Sequence, residues 1–88
     1  MHIVFDPAKD AANMAKHGVS LAGAVEFEWS DALMREDQRH DYKERRMTAI
    51  GYIGQRLFVV VYVDRGNARR IISLRKANSR EMKLYAQA

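Results

Sequence analysis

Apolar positions change their spacing midway along this chain, and the change separates a helical first third from an extended remainder. Residues 2–5 form a short apolar run and predict an N-terminal strand. Residues 8–17 then carry Ala8, Ala11, Ala12, Met14 and Ala15 at helical spacing, which predicts an apolar helix side. Lys9, Asn13, Lys16 and His17 fall at i, i+4, i+7 and i+8 and share the opposite face, read as the solvent side. The boundaries are written locally. Asp6 can cap the first N–H groups, Pro7 suits the first helical position, and Gly18 can take the left-handed conformation that ends a helix. Ser20 predicts a cap for a second short helix whose stripe is Leu21, Ala24 and Val25, weakened by Gly23.

After Trp29-Ser30-Asp31 the spacing becomes extended. Residues 32–35 predict a modest strand, and residues 36–43 an exposed turn, since six of these eight are charged or histidine. Residues 45–53 alternate, with Met47, Ala49 and Gly51 on one face and Arg46, Thr48 and Ile50 on the other. Gly54-Gln55 marks a tight turn. Residues 57–63 are continuously β-branched and aromatic, as a central strand buried on both sides requires. A turn at residues 64–67 leads into a strand at 69–76. Asn78 or Ser79 then caps a last helix with Glu81 in its first turn and Met82, Tyr85 and Ala86 as its stripe.

The predicted order is an N-terminal strand and two helices, an antiparallel sheet, and a C-terminal helix. This is an α+β fold with its helices grouped on one face of the sheet. Eighty-eight residues predict one domain, 1–88, burying about 60–65% of its unfolded surface. With no cysteine, disulfides and thiolate zinc sites are excluded, and His2, His17 and His40 lack ligand spacing, so no metal or other cofactor is expected. No run approaches the roughly 20 apolar residues of a membrane span, and no signal peptide is visible, so a cytoplasmic location is expected.

Charge narrows the partners. The formal net charge is +4, and residues 65–83 carry Arg65, Arg69, Arg70, Arg75, Lys76, Arg80 and Lys83 against Glu81 alone. Such a basic third favours a polyanionic partner, either nucleic acid or an acidic protein, and charge alone is equally met by a solvated surface. In an uninterrupted last strand, Arg69, Ile71, Ser73 and Arg75 face one way and Arg70, Ile72, Leu74 and Lys76 the other. If strands 45–53 and 69–76 flank strand 57–63, then Glu44, Arg46 and Arg75 can converge on one concave surface.

Metal-free RNA cleavage calls for such a set. A base must take the 2′-OH proton, cations must stabilise the charged phosphorus centre, and an acid must protonate the leaving oxygen. His17 and Glu44 have the credentials of a base, while Tyr85, Lys16 or an arginine can assist the leaving group. Each has a structural alternative. His17 can bond the last carbonyls of its helix, Glu44 and Arg46 can be an ion pair along one strand, Tyr85 can be a packing residue, and Lys9 and Lys16 can be solvated charges.

Asp6-Pro7-Ala8-Lys9, Asn13, Lys16-His17-Gly18-Val19-Ser20 and Ala24 resemble the N-terminal signature of the BrnT family, toxins of type II toxin–antitoxin systems. The resemblance continues in order through Glu44-x-Arg46, Ile50-Gly51, the strand 57–62, Ile71-Ile72-Ser73, Arg75-Lys76-Ala77, Arg80-Glu81 and Tyr85. It implies a RelE-like ribonuclease fold and inhibition of translation by RNA cleavage. It also implies neutralisation by a BrnA-type antitoxin, with DNA contacted only indirectly through that partner. Carried over by position, the catalytic candidates are His17, Glu44, Arg46, Arg75, Arg80 and Tyr85, and the RNA-binding candidates are Lys9, Lys16 and Lys76.

The chain departs from the family pattern in three places. Leu21-Ala22-Gly23 stands where an aromatic is usual, Trp29-Ser30-Asp31 replaces a frequent Asp-Pro, and Leu74 takes the place of a small alanine. Two functions follow from the sequence: a metal-independent endoribonuclease toxin, or a non-catalytic basic module that binds an acidic protein or nucleic acid.

Overall fold

The helix that follows the first strand begins and ends where its residues dictate. A computed structural model describes residues 2–37 and 43–88. In it β1 is His2–Val4 and α1 is Pro7–His17. Asp6 accepts a hydrogen bond from the Ala8 N–H at 2.8 Å, and Gly18 closes the helix at φ 72°. Two 3₁₀ helices follow, Leu21–Glu26 capped by Ser20, then Trp29–Asp31. The sheet continues with β2 Leu33–Glu36, β3 Met47–Ile53, β4 Arg56–Arg65 and β5 Ala68–Lys76, and α2 spans Ser79–Gln87. The turn predicted over residues 36–43 falls mainly on residues 38–42, among them His40, which lie outside the described residues.

The five strands run in the order β1-β5-β4-β3-β2. The predicted flanking of the apolar strand is therefore met, with β3 and β5 on either side of β4. β2 to β5 pair antiparallel, while β1 joins the edge of β5 in parallel, making the sheet mixed. The grouping of helices on one face is corrected. Leu21, Ala24 and Phe27 pack with Ala49, Val60, Tyr62, Ile71 and Leu74 on one face. Met82, Leu84 and Tyr85 of α2 pack with Ile50, Leu57, Val59 and Ala77 on the other. This is why β4 lacks polar alternation: residues of both parities are buried. α2 covers only one end of its face, and beyond it Val61, half-buried, and Val63, buried, line the base of two hollows.

Gly51 lies directly beneath Phe27. A Cβ there would stand 2.7 Å from the Phe27 Cζ, so only glycine lets the ring approach β3. Two departures from the family pattern meet in the same core, since a Cβ at Gly23 would lie 3.2 Å from Leu74 Cδ2. The bulky leucine occupies space that the glycine leaves. The third departure, Trp29, packs edge-on against Phe27 and Tyr62 at centroid distances of 4.6 and 5.2 Å. The Arg69 guanidinium lies over both Trp29 and Tyr62 and pairs with Asp64 at 2.7 Å.

The orientation of α1 reverses the sequence reading. Ala8, Ala11, Ala12, Met14 and Ala15 are exposed, and the buried residue of the helix is Asn13. Its Nδ2 donates to the carbonyls of Leu74 and Val19, both at 2.8 Å, and its Oδ1 accepts from the Leu74 N–H at 3.2 Å. β1 pairs only with residues 68–70, so the edge of β5 beyond them has no strand neighbour, and Asn13 satisfies it at Leu74. Asp10, one turn earlier, accepts from the Ser20 hydroxyl at 3.0 Å and the Leu21 N–H at 2.7 Å. Asn13 and Asp10 turn inward because they hydrogen-bond backbone that no strand completes, while Lys9 and Lys16 stay exposed.

Replacing Asn13 by alanine removes partners from three backbone groups at once. Each buried unsatisfied group costs about 1–3 kcal/mol. Asn13→Ala is therefore expected to lower unfolding stability by more than about 2 kcal/mol, read as a drop in urea midpoint with an unchanged slope. A midpoint equal to that of the parent would mean that the edge of β5 does not need this side chain.

Candidate functional site

One local irregularity assembles the basic face. Val61 pairs with Ser73 but Tyr62 pairs with Ile71, so Ile72 has no residue opposite it on β4. This bulge resets the alternation of β5. Arg70, opposite Val63, and Arg75, opposite Val59, then lie on the same open face, while Ile71 and Leu74 both enter the core. The strict alternation expected from sequence, with Arg70 and Arg75 on opposite faces, is corrected for that reason.

Two adjoining hollows occupy this face. The first, about 290 Å³, is lined by Arg75 and Glu81 with Thr48, Val59, Val61 and the Arg35-Glu36-Asp37 segment. Arg75 donates to both carboxylate oxygens of Glu81, from Nη1 at 2.8 Å and Nη2 at 2.7 Å. The Glu81 Oε1 also accepts from the Asn78 N–H at 2.8 Å, and the Asn78 side chain accepts from the Glu81 N–H at 2.9 Å. The capping box of α2 is thus the mount for the Arg75 fork. The Arg75 hydrogen bonds hold the Glu81 carboxyl below the ordinary range. This stabilisation is present above about pH 4.5 and is lost as the pH falls through the lowered value.

His17 closes α1 one turn beyond Asn13, and the charge of Arg75 reaches it. Partial burial first, then the positive charges of Lys16 and Arg75, lower its pKa from the ordinary imidazole value, favouring the neutral ring. Arg80, in the first turn of α2, is exposed and close enough for its charge to act on Glu81.

The second hollow, about 340 Å³, is lined by Lys9, Lys43, Glu44, Arg46, Arg65 and Arg70 over Val63 and Ile72. Of the expected trio Glu44, Arg46 and Arg75, the first two share this hollow with Lys9, and Arg75 stands in the neighbouring hollow of the same face. The Glu44 carboxylate accepts from Nε and Nη2 of Arg65, on β4, and the charge of Arg46 also acts on it. That hydrogen bonding, with the charges of Arg65, Arg70 and Arg46, keeps the Glu44 carboxyl below 4.5.

The remaining candidates lie elsewhere. The Tyr85 hydroxyl donates to the Asp31 carbonyl at 3.1 Å, its ring packs edge-on to Tyr52, and it lines a separate hollow with Ala32 and Leu33. Lys76 is exposed at the end of β5, opposite Phe58. Lys16 is exposed beside His17. Glu81, Arg65 and Arg70 escape sequence reasoning: Glu81 is legible only as a helix cap, and the placement of Arg70 depends on a bulge that no residue type marks. Among the described residues, no three histidine or carboxylate side chains are grouped to hold a metal ion, and no helix is long and apolar enough to cross a membrane.

The chain is similar to known proteins at both the sequence and the structural level. A family model described as the ribonuclease toxin BrnT of type II toxin–antitoxin systems matches residues 5–81. A crystal structure of the Brucella abortus ribonuclease toxin BrnT superposes with a TM-score of 0.70 at 29% identity, covering 90% of this chain and 99% of that one. No match is found among curated proteins. With the match to the family model running from the cap of α1 to Glu81, the chain belongs to the BrnT family of ribonuclease toxins of type II toxin–antitoxin systems.

Proposed function

We propose that this protein is a metal-independent endoribonuclease that arrests translation in the cytoplasm and is silenced by a BrnA-type antitoxin, through which alone it meets DNA. The observation that carries the reading is the Arg75 fork, held by Glu81 on an open basic face, whose charge also reaches the His17 imidazole. A guanidinium fixed in this way meets the extra negative charge of a pentavalent phosphorus without having to reorganise.

In this reading His17 takes the proton from a ribose 2′-OH as the 2′ oxygen attacks phosphorus. The bond from phosphorus to the 5′ oxygen breaks, leaving a 2′,3′-cyclic phosphate and a 5′-OH. Lys16, whose charge already acts on His17, donates the proton to the leaving oxygen. Arg80 binds phosphate at the rim. Glu44 stays outside the proton transfer, because a carboxylate held below its ordinary pKa is the weaker base. Tyr85 braces α2 against the carbonyl of Asp31.

Incubating the purified protein with RNA in the presence of a chelator should give cleaved products ending in 2′,3′-cyclic phosphate. Unchanged RNA that is nonetheless bound would support the non-catalytic module instead. Arg75→Lys should lose on the order of 10²-fold in kcat, since a point charge cannot engage Glu81 and phosphate as a planar fork does. Retained activity in that variant would make Arg75 a surface charge. Followed by NMR, the His17 imidazole should titrate below 6.5 and move upward in Lys16→Ala, because a neighbouring positive charge is removed. A midpoint at or above 6.5 in the parent protein would remove the case for His17 as the base.

A further inference from the structure

The Glu44 hollow concentrates charge beyond what the Arg75 and His17 chemistry uses. Among the described residues, five cations and one carboxylate line it. Asp6 touches the cluster only from the outside, at 3.9 Å from Arg70. The cations come from four separate parts of the fold: Lys9 from α1, Lys43 and Arg46 ahead of β3, Arg65 ending β4, and Arg70 on β5. Their convergence is a product of tertiary structure, and Arg70 arrives there through the bulge.

Glu44 already marks the geometry of a ligand. Its two carboxylate oxygens take the paired N–H groups of Arg65, which is the arrangement a phosphodiester takes with the same fork. Both partners are about half exposed, at 57% and 43% of their side-chain surface, so the pair contributes little to stability and can exchange. Beneath it, Val63 and Ile72 form an apolar floor on which a base can rest.

We propose that this hollow is a second phosphodiester subsite, holding single-stranded RNA away from the scissile phosphate, with Glu44 as an internal counter-anion that releases Arg65 when RNA enters. The inference rests on the ribonuclease reading for the identity of the strand. Its geometry supplies the spacing. Arg75 lies opposite Val59 and Arg70 opposite Val63, four residues apart on β4, about 13 Å along the strand. A ligand touching both hollows is therefore longer than a single nucleotide. An acidic protein segment would match the charge but makes no use of the apolar floor or of continuity with Arg75.

The test measures binding of an uncleavable 2′-O-methyl hexanucleotide and of the corresponding dinucleotide over a salt series. Arg65→Gln and Arg70→Gln should each weaken hexanucleotide binding several-fold and reduce the salt slope by about 0.7, the value for one phosphate no longer neutralised. Dinucleotide affinity, retained in both, reports that the variants are folded. Glu44→Gln should tighten hexanucleotide binding. Unchanged hexanucleotide affinity and slope in both arginine variants would overturn the subsite, and weaker binding in Glu44→Gln would overturn the counter-anion. Loss of binding to a hexaglutamate peptide alone, with hexanucleotide binding intact, would assign the hollow to an acidic protein instead. Cleavage is read separately: a parent protein that binds the hexanucleotide but leaves unmodified RNA intact refutes the ribonuclease activity while supporting the subsite.

Discussion

The fold depends on how the exposed edge of β5 is closed. β1 is only three residues long and pairs with the first part of that edge, so the buried backbone of Leu74 has no strand partner there. Asn13 meets both its N–H and its carbonyl, and its second amide hydrogen reaches Val19. An amide side chain is well suited to this, since it carries a donor and an acceptor in the same fork as a peptide group. The bond sets the rotation of α1 about its axis. Once Asn13 faces β5, Asp10 falls over the start of the next helix, Lys9 over the Glu44 hollow, and His17 over the end that carries Arg75.

That rotation also explains an unusual surface. The alanine side of α1, with Met14 at 47% exposure, faces out because Asn13 and Asp10 are needed within. The bulge at Ile72 brings Arg70 and Arg75 to one face. The capping box of α2 then holds Arg75 through Glu81. Three local devices, an edge amide, a bulge and a helix cap, together produce one basic concave surface.

Much of this was legible residue by residue. Asp6, Pro7 and Gly18 bound α1 because capping and left-handed backbone are properties of single residues and their nearest neighbours. The unbroken apolar run of β4 required cover on both faces, and it has it. What misled was amphipathicity: four alanines and a methionine look like a core stripe, yet alanine gains little from burial and an unsatisfied strand edge decides which way the helix turns. Simple alternation failed on β5 for a similar reason, since a bulge is selected by packing on both sides of the strand rather than by any residue at the bulge.

The sequence alone determined the elements, their order, the central place of β4 and the family to which the chain belongs, because each is encoded in caps, periodicity and ordered motifs. Tertiary structure decided which face of α1 is inside and which helices cover which side of the sheet. It also decided which of many cations share a surface, and that Glu81 and Arg65 complete the groups around Arg75 and Glu44. Those outcomes depend on pairings between residues far apart in the chain, where the partner, and not the residue type, supplies the free energy.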